Sequence, residues 1–184
     1  EERQHLLLNR TIQEANRLNA LCNNMLLLSQ IDSGGYTITK EEVDLSELTL
    51  ECMNDFHARF PNRPIVFHPV DDAIVQGDRI LLQLSFNNLL DNALKYSGNE
   101  QVEIDLFREG KFWKWQVKDL GEGLKEGEQE KVFEKYYRGK EAQTKGTGLG
   151  LFLTQKIIKS HQGEIRVFSN SPHGCIFEIK LKGS

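Results

Sequence analysis

Two asparagines, a lysine and a tyrosine are spaced so that a helix would present them on one face. Asn88, Asn92, Lys95 and Tyr96 stand at i, i+4, i+7 and i+8 among apolar residues. Asparagine is a mediocre helix former, so two of them in mid-helix indicate another role. Carboxamide oxygens suit Mg²⁺, which shares its other positions with water and phosphate oxygens. These residues predict a binding site for Mg²⁺ and phosphate. The alternative interpretation is a polar helix face that is exposed to solvent.

An acidic residue followed by glycines forms a second candidate site. Asp119 directly follows the strand-like segment 115–118, and Gly121 and Gly123 come after it. Glycines let the backbone approach a ligand closely, and a buried carboxylate can accept a hydrogen bond from a purine amine. The segment predicts base recognition, although the same pattern also fits a plain turn.

A glycine-rich string opens the last predicted helix. It contains Gly146, Thr147, Gly148, Leu149 and Gly150. Backbone N–H groups at a helix N-terminus attract phosphate, and the positive end of the helix dipole adds to that attraction. The string lacks the preceding strand of a dinucleotide fingerprint and the G-K-[ST] ending of a Walker loop. It therefore predicts a phosphate site of another kind.

Helices and strands in alternation are predicted to position these motifs. Asp44 or Ser46 is suited to cap one helix, Asp78 caps a longer one, and a hairpin turns at Glu109–Gly110. Apolar periodicity and turn residues set the remaining bounds. Helices are predicted over 45–60, 78–95 and 149–161, and strands over 64–69, 101–107, 112–117, 164–168 and 174–181. A short extended stretch is predicted over 36–39.

The N-terminal segment has the pattern of a bundle helix. No proline or glycine occurs from Glu1 to Asp32, and Gly34 and Gly35 then favour a helix end. Such a helix cannot bury its apolar stripe alone, so we expect it to pack on another chain or an upstream segment, the alternative being its own globular domain. The stripe has a 3-4-3 spacing through Leu18, Leu21, Met25 and Leu28.

Composition excludes several classes of protein. The net charge of −4 gives no electrostatic footprint for nucleic acid, and the apolar run 25–28 is too short to cross a bilayer. The three cysteines show no C-x-x-C spacing, which favours free thiols in a reducing compartment. The first residue is not Met and already lies in a predicted helix, so we expect a fragment of a longer protein.

The order of these motifs resembles the histidine kinase branch of the ATPases that share the Bergerat fold. Residues 88–96 resemble the asparagine box, 119–123 the first glycine box, 133–138 the phenylalanine box and 146–150 the second glycine box. The resemblance covers nearly the whole chain. It implies an α/β sandwich, a mixed sheet with helices on one face, over residues 36–184. Residues 1–35 would be the second helix of the dimerisation domain.

The resemblance also implies a role for each matched residue. Asn92 would coordinate Mg²⁺ with support from Asn88, Lys95 and Arg138 would meet the phosphates of ATP, and Asp119 would accept the adenine amine. The catalytic residues would be Asn88, Lys95 and Arg138. The remaining residues expected to bind the nucleotide are Tyr96, Gly121, Gly123, Tyr137, Gly146, Thr147, Gly148, Leu149 and Gly150, and 123–146 would form a lid.

The implied activity is that of a protein-histidine kinase. The γ-phosphate of ATP would pass to a histidine on the first dimerisation helix, and then to an aspartate on a response-regulator receiver domain. The family also implies a homodimer formed through the N-terminal helix, and a cytoplasmic domain. Whether the whole protein is anchored in an inner membrane is left open.

Two departures from the family pattern stand in the sequence. No H-E-x-x-x-P string surrounds any of the histidines, so we expect the phosphate acceptor to lie outside this chain. In the first glycine box, Leu120 and Glu122 replace the more usual Asn and Pro, and Glu122 adds a negative charge that we expect to point to solvent.

Two other functions remain open. An ATP-hydrolysing relative, such as a chaperone or mismatch-repair ATPase, would place a water-activating Glu where Asn88 stands, and a carboxamide cannot act as a general base. A degenerate dimerising module would bind no Mg·ATP, although the polar residues of the four boxes argue against such decay.

Overall fold

A computed structural model describes residues 2–139 and 147–184, and the chain divides into two compact units, Glu1–Thr37 and Ile38–Ser184. The first unit consists mainly of helix α1, Glu2–Asp32. Gly34 ends the helix at φ +70°, and the Tyr36 N–H donates to the Gln30 carbonyl at 3.1 Å. No helix in the described residues combines the length and apolar character needed to span a membrane.

In the described residues, the second unit is an α/β fold with a two-stranded sheet, a five-stranded sheet and three α-helices. The helices are α2 (Leu45–Arg59), α3 (Arg79–Tyr96) and α4 (Gly150–Ser160). The strands are β1 (Glu41–Asp44), β2 (Ile65–Phe67), β3 (Ile74–Gly77), β4 (Val102–Glu109), β5 (Phe112–Lys118), β6 (Glu164–Ser169) and β7 (Cys175–Lys182).

The larger sheet is mixed, with strand order β2-β4-β5-β7-β6. Strands β2 and β4 run parallel, and all other neighbours in this sheet are antiparallel. One face is apolar and packs against the helices, where Trp115 stacks on Phe86 of α3 with ring centroids 4.2 Å apart. The Trp115 indole N–H also donates to the hydroxyl of Thr49 on α2 at 2.9 Å. The predicted fold, a mixed sheet with helices on one face, is confirmed.

The opposite face of the sheet carries ion pairs. Lys114 lies 3.0 Å from Glu109 and 3.5 Å from Glu178, and Lys118 pairs with Glu103 at 3.2 Å and with Asp105. The hydrogen bond from Lys114 to Glu109 raises the pKa of Lys114. Alternation between this polar face and the apolar face follows from the two-residue period of a strand.

Two aspartates cap the N-termini of helices α2 and α3. Asp44 accepts the N–H of Ser46 at 2.8 Å, and Asp78 accepts the N–H of Leu81 at 3.1 Å, as expected for N-caps. His161, at the end of α4, accepts the backbone N–H of Asp78 at 2.9 Å through Nε2 and donates from Nδ1 to the Ile157 carbonyl at 2.8 Å. Burial lowers the pKa of His161, so the neutral ring joins α4 to the start of α3.

Neither β1 nor β3 was predicted, and the sequence indicated only a short extended stretch over 36–39, just before β1. The first strand lies at Glu41–Asp44 and pairs only with Ile74–Gly77, as an antiparallel ribbon. Two adjacent glutamates have a low preference for strands, so the sequence of β1 gives only a weak signal. Pairing with the neighbouring strand provides the stabilisation that the local sequence lacks. The hairpin turn also lies one residue further on than predicted, at Gly110–Lys111.

Candidate nucleotide-binding site

Helix α3 carries Asn88, Asn92, Lys95 and Tyr96, and its contacts reach the start of α4 at Asn88 and the segment after Asp119 at Tyr96. Asn88 donates from Nδ2 to the Gly150 carbonyl at 3.4 Å and to the Thr154 hydroxyl at 3.3 Å. Both bonds use the amide nitrogen, so the oxygen of Asn88 is left for another partner. Asn92 is half-buried one turn further along the helix.

Lys95 and Tyr96 lie together at the C-terminal end of α3. The Lys95 ammonium lies 3.5 Å from the Tyr96 hydroxyl and 4.9 Å from the ring centroid. Lys95 is half-buried, and 46% of Tyr96 is exposed. The pair therefore offers a positive charge and an accessible ring at this end of the helix.

Asp119 lies immediately after β5 with only 4% of its surface exposed. Its Oδ1 accepts the backbone N–H of Gly121 at 2.8 Å and that of Cys175 at 3.2 Å. Within residues 2–139 and 147–184, no group donates a hydrogen bond to Oδ2. Burial raises the pKa of Asp119, and the two N–H donors oppose that rise. One oxygen is thus held and the other can accept a ligand hydrogen bond.

The glycines after Asp119 allow close backbone packing. A side chain at Gly121 would meet the Tyr96 carbonyl oxygen at 2.5 Å, so this glycine brings the segment against the end of α3. Gly123 has φ +78° and lies against the backbone of Gly174. Leu120 is half-buried, whereas Glu122 is exposed, as expected from the sequence.

Helix α4 begins without a side-chain cap in the described part of the chain. Leu149 occupies the N-cap position and is fully buried, so it contributes to the core at the start of the helix. Thr147 accepts the Leu149 N–H only at 3.4 Å. Among the described residues, no side chain caps the first-turn N–H groups of α4, which lie next to Asn88 and are of the kind that binds an anion. Gly146 lies outside the described residues.

The phenylalanine-box tyrosines contact the second glycine-rich segment. The Tyr136 N–H donates to the Gly148 carbonyl at 2.9 Å, and Gly148 has φ +68° with the Tyr136 backbone directly against it. The Tyr137 hydroxyl donates to Glu128 at 2.8 Å, so this predicted nucleotide-binding residue already has a protein partner. That bond raises the pKa of Tyr137. Arg138 is exposed, one residue further on.

Sequence reasoning did not select the turn between β6 and β7 or Thr154. Asn170 donates from Nδ2 to the Asp119 carbonyl at 2.9 Å, and the His173 Nδ1 lies 3.1 Å from the Gly121 carbonyl. Both residues belong to a turn some 50 positions from Asp119 in the chain. No local pattern signals such a contact, because it arises only when β5 and β7 pair.

The donor set fits a hard cation shared with phosphate. The hydrogen bonds of Asn88 use its amide nitrogen, so its amide oxygen can bind another ligand. Among the described residues, Asn92 makes no hydrogen bond. Neutral amide oxygens are suitable ligands for Mg²⁺ when phosphate supplies the compensating charge. Among described residues, no group of three or more His, Cys, Asp or Glu side chains forms a metal cluster.

Comparisons with known proteins give one consistent family. The model of the family "Histidine kinase-, DNA gyrase B-, and HSP90-like ATPase" matches residues 77–184. Sensor protein KdpD of Escherichia coli is 32% identical over 88% of this chain and 18% of its own length. Sensor histidine kinase WalK of Bacillus subtilis is 32% identical over 93% of this chain, which spans 29% of that protein.

Solved structures agree with the sequence relatives. The mycobacterial sensor histidine kinase MprB superposes with a TM-score of 0.69 at 27% identity, covering 79% of this chain and 98% of that one. A nucleotide-free catalytic domain of histidine kinase ThkA gives a TM-score of 0.70 at 28% identity, covering 78% and 97%. The chain therefore belongs to the family of histidine kinase-, DNA gyrase B- and HSP90-like ATPases, as an ATP-binding catalytic domain of the sensor histidine kinase type.

Proposed function

We propose that this chain binds Mg·ATP along α3 and transfers the γ-phosphate to a histidine on a dimerisation helix. One arrangement carries the proposal: the two ends of the polar face of α3 meet the two other glycine-containing motifs. Asn88 bonds to the first turn of α4, and Tyr96 packs on Gly121 beside Asp119. Asn88 and Tyr96 are about 12 Å apart along the helix axis, a span suited to an extended nucleoside triphosphate.

At the Tyr96 end, the base would be recognised. Oδ2 of Asp119 would accept the adenine 6-amino hydrogen bond, while Tyr96 would pack near the ribose and base. A buried carboxylate discriminates because a base without the amine would leave it without a partner. The anchoring of Oδ1 by two backbone N–H groups supports this assignment.

At the Asn88 end, the phosphates would be held. The N-terminus of α4, which no side chain caps in the described residues, would supply N–H donors, and Arg138 would add positive charge. Lys95, which lies beside Tyr96 at the other end of the polar face, would meet the phosphates from there. The walls of the site would include the backbone of Gly121, Gly123, Thr147, Gly148, Leu149 and Gly150. Phosphoryl transfer depends mainly on positioning and charge compensation, which these residues provide.

The cation would be held by Asn92, with Asn88 supporting it and its water. Bound there, Mg²⁺ would neutralise charge on the transferring phosphoryl group. The polar residues of α3 would then hold the phosphates in the orientation needed for in-line transfer and prevent them from binding in other orientations. Asn88 is a carboxamide, so the site has no general base at that position for activating water. Transfer to an acceptor is therefore favoured over steady hydrolysis.

Two partners follow from the proposal. A second copy of the protein would pair through α1, on which Leu18, Met25 and Leu26 are 44–62% exposed. A response-regulator receiver domain would accept the phosphoryl group from the histidine. The matched relatives are sensor kinases far longer than this chain, and we propose the same signalling role for the whole protein.

Calorimetry with a non-hydrolysable ATP analogue and Mg²⁺ tests the binding step. We expect micromolar affinity, with loss of affinity when Mg²⁺ is replaced by a chelator. An absence of binding would overturn the proposal and leave a dimerising module without nucleotide. Rapid steady release of inorganic phosphate from ATP would instead favour the hydrolytic relatives.

A further inference from the structure

We propose that the turn between β6 and β7, residues 170–174, positions Asp119 to read the nucleotide base. Asn170 and His173 are the positioning side chains of this turn, and they act through the backbone of the segment 119–121. The inference rests on the proposed role of Asp119 in adenine recognition. It adds the residues that determine the position of Oδ2 of Asp119.

Asn170 ties the turn to Asp119 directly. Its Nδ2 donates to the Asp119 carbonyl at 2.9 Å, and its Oδ1 accepts the Ser171 N–H at 3.0 Å. Its backbone N–H donates to the Gly174 carbonyl at 3.0 Å, which closes the turn. Both ends of the amide are therefore used, so the side chain has one preferred orientation.

His173 acts on the same carboxylate through Gly121. Nδ1 of His173 lies 3.1 Å from the Gly121 carbonyl and must donate, because a carbonyl only accepts. Gly121 in turn donates its N–H to Oδ1 of Asp119 at 2.8 Å. The imidazole thus restrains Gly121, the residue whose N–H holds the carboxylate.

Gly174 makes the close approach possible. It has φ +104°, and a side chain there would collide with the carbonyl of Asp119. The carbonyl of the next residue, Cys175, accepts the Asp119 N–H at 2.9 Å, and the Cys175 N–H donates to Oδ1 at 3.2 Å. The N–H, the carbonyl and Oδ1 of Asp119 are all anchored to this strand pair and its turn.

The consequence is a fixed direction for Oδ2. Hydrogen bonds weaken steeply when distance or angle departs from the optimum, so the carboxylate must be held in a narrow range of positions to select an amine. Loss of the Asn170 bond releases the Asp119 carbonyl and lets the peptide after β5 rotate. Base recognition should then weaken while phosphate binding, which lies at the other end of α3, is unaffected.

The test measures Kd for Mg·ATP and for Mg·inosine triphosphate, whose base carries a carbonyl where adenine has the amine. Asn170→Ala and His173→Ala are compared with Ser171→Ala, an exposed residue of the same turn. We expect Asn170→Ala to raise the Kd for ATP by about 2–12-fold, the range that one neutral hydrogen bond covers. The Kd for inosine triphosphate should stay unchanged, as should both values for Ser171→Ala.

Equal weakening of both nucleotides would overturn the inference, since it would indicate general damage to the site. Unchanged ATP affinity in both Asn170→Ala and His173→Ala would also overturn it. Asp119→Asn, measured in parallel, distinguishes a failure of this inference from a failure of the proposed function. If Asp119→Asn also leaves the ATP affinity unchanged, the assignment of Asp119 to adenine recognition is wrong. Circular dichroism checks folding, and the exposed His173 carries the test should Asn170→Ala unfold.

Discussion

Asp119 shows how a buried carboxylate can serve recognition. Desolvation raises its pKa, while the N–H groups of Gly121 and Cys175 stabilise the ionised form. Its neighbour Cys175 is a buried thiol whose pKa burial raises to about 12, so it adds no charge beside the carboxylate. The arrangement leaves Oδ2 as the acceptor that would meet the adenine amine in the proposed function.

Asp119→Asn should weaken ATP binding because the amide presents its NH₂ or a weaker acceptor to the adenine amine. We expect a rise in Kd of about 10–150-fold, corresponding to about 1.5–3 kcal/mol for a hydrogen bond to a charged group. Isothermal calorimetry measures it directly. Glu122→Gln is the matched control, since it removes an exposed carboxylate three residues away and should leave Kd unchanged. An unaltered Kd for Asp119→Asn would remove this residue from the site.

Asn92→Ala should reduce nucleotide affinity and abolish phosphoryl transfer, because Mg²⁺ bound with ATP would lose its proposed ligand on α3. Binding is measured by calorimetry at two Mg²⁺ concentrations, and transfer by labelled ATP. Gln83→Ala, another amide on α3, serves as the control and should keep both activities. Full transfer by Asn92→Ala would show that the metal assignment is wrong.

At the residue scale, the sequence could identify groups with unusual chemistry but not those that hold them. Asn88, Asn92 and Asp119 are recognisable because their types are unexpected in a helix interior or at a strand end. Asn170 and His173 are ordinary turn residues, and only the pairing of β5 with β7 brings them to Asp119. Which atoms of Asp119 are already bonded likewise depends on that pairing.

Gly148 links the glycine-rich segment before α4 to the tyrosine segment. Its φ is +68°, and a Cβ added at this position would lie 2.8 Å from the carbonyl carbon of Tyr136, which leaves no room for alanine. Gly148→Ala should therefore cost about 1–3 kcal/mol of local strain and weaken ATP binding. Thermal unfolding and calorimetry measure the two effects. Gly139→Ala, at an open position with nothing within 4 Å, is the control; equal behaviour of both variants would contradict the strain argument.

His161 makes stability depend on pH through the junction of α4 and α3. Its folded-state pKa lies below the unfolded value of 6.5, because burial disfavours the charged ring. Its contribution is therefore fully present above pH 6.5 and is lost as the pH falls toward the folded-state pKa. Asp78, which favours the charged ring, and Lys40, which disfavours it, also act on this group.

Denaturant unfolding of the wild type and His161→Gln between about pH 5 and 7.5 tests this effect. Glutamine can accept the Asp78 N–H but does not titrate, so the variant should lose less stability on acidification than the wild type. Carboxylates contribute equally to both proteins and cancel in the difference. Parallel pH profiles would show that the pKa of His161 does not differ between the folded and the unfolded state.

Element bounds were predictable where capping and periodicity act locally. Asp44 and Asp78 begin α2 and α3, and α1 ends just before its glycines, as their residue types indicate. Strands β1 and β3 were not predicted, because this ribbon depends on cross-strand pairing rather than on its own sequence.

In the second unit, helix α3 extends between the two ends of the proposed nucleotide site. Helix α3 packs on the sheet through Phe86 and Trp115, and its polar face lies between α4 and the strand end at Asp119. The α/β class could be predicted from the sequence, since motif order and alternating strands and helices are regular features. The strand order could not, because it depends on which edges pair after long connections.

The most direct test of the central claim is transfer of labelled γ-phosphate. This chain is incubated with Mg·ATP, alone and together with a polypeptide that carries the histidine-bearing dimerisation helix and no functional ATP site. The account predicts acid-labile, base-stable label on the acceptor polypeptide only, at a rate that Asn92→Ala abolishes. Tight ATP binding without label on the acceptor, or label consumed by steady hydrolysis, would contradict it.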